Sequence, residues 1–155
     1  MNKFDLKKKT VVVCGGLGLI GKEISLALSN ANAKVIILDI NKRKINKIRE
    51  ENIEFEKFDI TEIDKYPSKL KELHNKYGPI HIWINTAYPR TKDWGEKLEK
   101  IKVSSWKKNV DIHLNTYCLL TRDIAEYMKK KKINGSIINF ASIYGSVGPD
   151  FSIYD

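Results

Sequence analysis

The chain lacks the features that would place it in several large classes. It has two cysteines in 155 residues, Cys14 and Cys118. They have no metal-type spacing, which argues against a disulfide scaffold or a zinc module. Both read as buried small hydrophobes in a reducing cytoplasm. No apolar run is long enough to span a bilayer. Residues 1–9 are basic but have no apolar segment behind them, so no signal peptide is expected. Neither an internal repeat nor a low-complexity tract is visible. No metal site is expected.

Acidic residues are outnumbered, 19 Asp and Glu against 28 Lys and Arg, for a formal charge of +9. The lysines are scattered over expected helix faces, with one cluster at Lys129–Lys132. Such scatter is the mark of a solvated surface. No basic motif interleaved with aromatics points to specific nucleic-acid binding. The length suits one domain, 1–155, with one core.

What the chain does have is concentrated near its start. Val11, Val12 and Val13 form a β-branched run, as in a parallel strand buried on both faces. Gly15, Gly16, Gly18 and Gly21 follow, and a helix is expected from Lys22, with Ile24 and Leu28 on one face. Strand, glycine turn and helix in this order suit a dinucleotide pyrophosphate. Glycine lets the backbone approach the phosphates, and the helix start offers unpaired N–H groups and a positive dipole end. The plainer reading is a glycine turn that only packs helix on strand.

A second buried strand, Lys34–Leu38, ends in Asp39. An acid at this place accepts bonds from ribose hydroxyls and repels a 2′-phosphate, favouring NAD over NADP. The competing reading is a helix-start acid, a role for which Asn41 also qualifies. A charged helix is expected over 41–51, a third strand over 55–58 with Asp59 just beyond, and a helix through Leu70 and Leu73 to Tyr77. A fourth strand, 80–84, contains His81, which reads as structural. Asn85, Thr86 and Ala87 follow where open α/β sheets place ligands. Residues 88–103 form an irregular loop of the length that is often functional. Trp106, Val110, Leu114, Tyr117, Leu120, Ile124 and Met128 then mark one apolar helical stripe. A fifth strand, 136–140, leads to Ser142. The alternation of strand and helix implies an α/β, doubly wound parallel sheet with right-handed crossovers.

Taken together, the chain resembles the short-chain dehydrogenase/reductase family over its whole length. Cys14–Gly21 looks like the family's glycine-rich opening, which assigns Leu19 and Ile20 to the cofactor with the glycines. Asp59-Ile60 resembles the pair that meets adenine. Asn85-Thr86-Ala87 resembles the segment that closes over the cofactor and steadies the sheet. Ser142 looks like the serine that orients the substrate oxygen. His113 falls where the family has a helix asparagine that holds a proton-relay water, and it either relays or fills space. Cys14 stands where the family has threonine, and Tyr88 where it has glycine. The segments around Ile143-Tyr144-Gly145 and 148–154 look more specifically like a flagellin-modification branch tied to bacterial sugar biosynthesis.

The resemblance implies a Rossmann-like sheet ordered 3-2-1-4-5, with the final family strands missing from the residues given. The family's tyrosine–lysine pair is expected after the serine loop, where Tyr154 has no lysine four places on. Two functions therefore stay open. One is an NAD-dependent oxidoreductase acting on an alcohol or ketone of a sugar or sugar nucleotide. The other is a non-catalytic dinucleotide-binding fragment or pseudoenzyme. Self-association, through an uncovered fifth strand and a long helix without its partner, is expected in either case.

Overall fold

A computed structural model describes residues 5–41, 48 and 52–148. Five parallel strands make one sheet: β1 (Thr10–Cys14), β2 (Lys34–Asp39), β3 (Ile53–Lys57), β4 (Ile82–Asn85) and β5 (Ser136–Asn139). Their order is β3-β2-β1-β4-β5. This is the expected Rossmann-like arrangement, and its order reverses direction between β1 and β4. All of the tail beyond 148, with Tyr154, and most of the helix expected over 41–51 lie outside the described residues.

The valine run is central because both of its faces are covered. Val12 and Cys14 point to one side, Val11 and Val13 to the other, and all four are fully buried. On the first side the sheet packs on helix α2 (Tyr66–Tyr77), through Leu70 and Leu73, and on a long helix that follows β4. On the second side it packs on α1 (Leu19–Asn30), through Ile24 and Leu28, with Ile48 adding to the cluster. Period-two side-chain alternation in β1 thus feeds two cores from one strand.

His81 is structural, as its apolar neighbours suggest. Its Nδ1 accepts the Thr10 backbone N–H at 3.1 Å. Its own N–H donates to the Thr10 carbonyl, and its carbonyl accepts from Ser136. One residue thereby pins the starts of β1, β4 and β5 together.

The long helix departs from the expected single stripe. It runs as α3 (Val103–Val110), a π-helical turn at Asp111–Asn115, and α4 (Thr116–Lys130). Leu120, Ile124 and Met128 are buried as expected, but Trp106, Val110 and Leu114 are each more than half exposed. Asn109, Ile112 and Thr116 take the buried face instead. The buried positions 112, 116, 120, 124 and 128 step by four, whereas an α-helix repeats every 3.6 residues. The wider π turn takes up part of that drift and rotates the first half of the helix relative to the second. Cys118 is corrected as well: it is exposed, two residues from each of the buried Thr116 and Leu120 and so on the opposite face of the helix.

Candidate functional site

The carboxyl ends of β1, β2 and β4 open into one crevice of about 890 Å³. Its floor is the glycine turn. Gly15 has φ +72°, the left-handed region that favours glycine. A Cβ there would lie 2.6 Å from the Ala87 backbone, so Gly15 lets the β1 and β4 ends touch. Thr86 completes that junction: its N–H and its hydroxyl both donate to the Cys14 carbonyl, at 2.9 and 2.7 Å. At Gly21 a side chain would strike the Thr86 hydroxyl at 2.6 Å.

Gly18 caps α1 without a side chain of its own. The first helical bond runs from Lys22 N–H to the Gly18 carbonyl, leaving the N–H groups at the helix start without intrahelical acceptors. Leu19 and Ile20 stand beside them, 94% and 56% exposed. Apolar side chains held open on a crevice wall, beside free donors, suit a ligand with both apolar faces and anionic oxygens.

Asp39 faces this floor from β2. Its carboxylate accepts the Leu17 backbone N–H at 3.1 Å through Oδ2 and the Asn41 N–H at 3.2 Å through Oδ1. Asp39 thus bonds its own turn and also the glycine turn. Asp59 closes the far wall in an Asx-type turn, with Oδ1 accepting from the Thr61 N–H and hydroxyl at 2.9 and 2.8 Å. Ile60 follows, buried, its carbonyl accepting the Tyr66 hydroxyl.

Of the expected site residues, Gly15, Gly18, Leu19, Ile20, Gly21, Asp39, Asp59, Ile60, Thr86 and Ala87 line this crevice together. Gly16 and Asn85 stand behind the lining. Gly16 is buried against the Ile37 side chain. Asn85 is fully buried in a chain of bonds. The Trp83 indole N–H donates to its Oδ1 at 2.8 Å, its Nδ2 donates to Asn139 at 2.5 Å, and Asn139 donates to the Thr121 hydroxyl at 3.0 Å. Asn85 thus ties β4 to β5 and α4. Cys14 is buried beneath the turn, and burial pushes its thiol well above the usual range. Ser142 also lies outside the lining. It is exposed, and its Oγ accepts the Tyr144 N–H at 3.2 Å at the start of a 3₁₀ turn.

His113 sits in the π turn, beside the loop that leaves β4. Its Nε2–H donates to the Pro89 carbonyl. The ring packs on Tyr88 at 4.8 Å and Trp94 at 5.4 Å between centroids. Tyr88 and Trp94 meet edge to face at 5.8 Å. Two further bonds hold the same loop. Tyr117 donates its hydroxyl to the Ala87 carbonyl, and burial raises that phenol to about 12. Asn109 accepts the Thr91 N–H at 3.1 Å and donates to its hydroxyl at 2.9 Å.

Sequence reasoning passed over Leu17, Pro89, Arg90, Lys108 and Ile112, all of which line the crevice. The irregular composition of 88–103 was the available signal. Lys108 and Ile112 could be placed only once the π turn had set the helix's rotation. Among the described residues no group of three or more His, Cys, Asp or Glu side chains could hold a metal ion. No described helix is long and apolar enough to cross a membrane.

The comparisons with known proteins agree with this geometry. The family model described as short chain dehydrogenase matches residues 9–154. The chain is 29% identical to the post-translational flagellin modification protein A of Campylobacter coli, over 97% of this chain and 61% of that protein. It is 27% identical to a 3-oxoacyl-[acyl-carrier-protein] reductase of Thermotoga maritima, over 92% of this chain and 59% of that one. A short chain dehydrogenase from Leptospira borgpetersenii, solved with bound NAD+, superposes with a TM-score of 0.84 at 28% identity. That match covers 97% of this chain and 58% of the other. A structure of ElxO with NADPH bound superposes at 0.78 with 26% identity, over 94% and 60% of the two chains. The chain therefore spans about three fifths of the length of these relatives. It belongs to the short-chain dehydrogenase family.

Proposed function

We propose that this chain supplies the dinucleotide site of an NAD-dependent oxidoreductase that exchanges hydride at an alcohol or ketone carbon of a sugar-derived substrate. The cofactor, when bound, provides the hydride chemistry. The chain's residues hold and orient it. The donors at the start of α1 receive the pyrophosphate, Asp39 accepts from the ribose hydroxyls, and Asp59 and Ile60 flank the adenine. The crevice walls exclude water from the bound dinucleotide. Ser142 orients the substrate oxygen. His113 spends Nε2–H on Pro89, so a proton relayed through it passes by Nδ1. A reducing cytoplasm suits the free cysteines.

The observation that carries the cofactor choice is the Asp39 carboxylate, fixed at the crevice by Leu17. A 2′-phosphate would meet its negative charge, while a 2′-hydroxyl can donate to it. The neighbouring residues 42–44, two lysines and an arginine, are the feature that would soften this preference. Calorimetry with NAD and NADP tests the choice. Asp39→Ala is expected to weaken NAD by about tenfold or more, the size of a charge-assisted bond. NADP should lose little. Equal losses would remove the ribose role.

A second reading, a dinucleotide-binding unit without turnover of its own, is supported by the exposed Ser142 outside the lining. NAD reduction assayed with sugar phosphates and sugar nucleotides separates the two. Turnover lost in Ser142→Ala supports catalysis by this chain. NAD binding without turnover supports the second reading.

A further inference from the structure

The loop after β4 is fastened to the long helix at a regular interval. Ala87 bonds Tyr117, Pro89 bonds His113, and Thr91 bonds Asn109. The loop advances two residues for every four residues of helix. The rungs at Ala87 and Pro89 are backbone carbonyls, so these two residues bond the helix and still reach the crevice. Tyr88 and Arg90 fall between the rungs, and both line the crevice.

The tether gives these two side chains fixed roots. Tyr88 is braced by Trp94 and His113 yet stays 58% exposed, and Trp94 is 37% exposed. Tyr88, in the lining, with Trp94 set edge to face behind it outside the lining, leaves aromatic surface open to a ring. Arg90 brings a planar fork of donors that matches carboxylate or phosphate geometry. Lys108, on α3, brings a second positive charge to the same lining.

We propose that Tyr88 and Arg90 are a recognition pair for a ring-bearing anion, a sugar carrying a phosphate or carboxylate group. The ring lies against Tyr88 and Trp94, and the anion on Arg90, with Lys108 adding to the field. This rests on the dehydrogenase reading above and specifies which substrates it accepts.

The test follows the indole N–H resonances of the chain's three tryptophans in the presence of NAD, with glucose 6-phosphate, glucuronate and glucose as probes. The two anionic sugars should shift Trp94, leaving buried Trp83 in place, and neutral glucose at the same concentration should not. A larger response to glucose 6-phosphate identifies a phosphate site, and a larger response to glucuronate a carboxylate site. Arg90→Gln should weaken the anionic probes by about tenfold and NAD by less than that. Arg90→Lys, which keeps the charge but loses the fork, should fall between. Tyr88→Ala should weaken the same probes, and serves if an Arg90 variant fails to fold.

An unmoved Trp94 in a chain that binds NAD overturns the proposal and leaves the dehydrogenase reading intact. So does an equal response to glucose. An Arg90→Gln variant that loses NAD as much as sugar assigns the guanidinium to the cofactor's pyrophosphate, again against the proposal. Failure of the unmodified chain to bind NAD overturns the dehydrogenase reading instead, and the Trp94 response without NAD then decides the pair on its own.

Discussion

His81 and Thr10, 71 residues apart, share two hydrogen bonds: backbone N–H to carbonyl at 2.9 Å, and the Thr10 N–H to the imidazole Nδ1 at 3.1 Å. Nδ1 can accept only while it is unprotonated. Burial, and then the charge of Lys9, lower the His81 pKa below its ordinary 6.5. The unfolded chain therefore binds the proton more readily than the folded one. The contribution of His81 is complete above about pH 6.5 and is lost as pH falls from there through the lowered folded value. Thermal unfolding should show a drop in Tm from about pH 7.5 to about pH 5 that His81→Gln reduces. At the higher pH that variant should melt about 2–4 °C lower, for a bond worth about 1 kcal/mol. An undiminished pH dependence in the variant would assign the drop to other groups.

Gly15→Ala tests the floor of the crevice. The φ of +72° and the 2.6 Å approach to Ala87 both oppose a Cβ. The variant should lose more than about 1 kcal/mol of stability, and NAD binding should weaken with it. Gly145→Ala, where no atom lies within 4 Å of the added Cβ, is the control and should melt close to the parent protein.

Asn85→Ala removes the middle of the Trp83–Asn85–Asn139 chain and strands a buried indole N–H. That should cost about 1–3 kcal/mol, read as a lower midpoint in urea with an unchanged slope. Asn139→Ala leaves the indole N–H its acceptor but takes the partner of the Asn85 Nδ2, and should cost less. The reverse ranking would mean that the β4–β5 junction, and not the buried indole, carries the energy.

The apolar positions Trp106, Val110 and Leu114 lie exposed on the long helix, Ile138 on β5 and Phe140 just beyond it. Such surfaces favour burial against a second copy. Light scattering should show a mass that rises with concentration, and Leu114→Glu should reduce it. A fixed monomer mass across the range would count against self-association.

Much of the fold was legible because its signals are local. Val11–Val13, the four glycines and Asp39 carry their own conformational and chemical demands: Gly15, Gly18, Gly21 and Asp39 line one crevice, with Gly16 behind it and the valines in the cores beneath. The long helix was legible only in its second half. Periodicity places Leu120, Ile124 and Met128 correctly, but it assumes 3.6 residues per turn throughout. No residue at 111–115 announces a π turn, because that turn is fixed by His113 and Tyr117 reaching the β4 loop. Arg90 and Lys108 were missed for the same reason. Their place in the lining depends on contacts between segments distant in sequence.

The two-against-four meshing of loop and helix works like a pair of gears, and gears set rules for length change. One residue inserted between Ala87 and Thr91 would put the rungs out of step with the helix, so that the Tyr117 and Asn109 bonds could not both be kept. Tyr88 and Arg90 would lose their fixed roots while every strand stayed in place. The length of this short span is therefore a constraint on the crevice wall and not on the sheet.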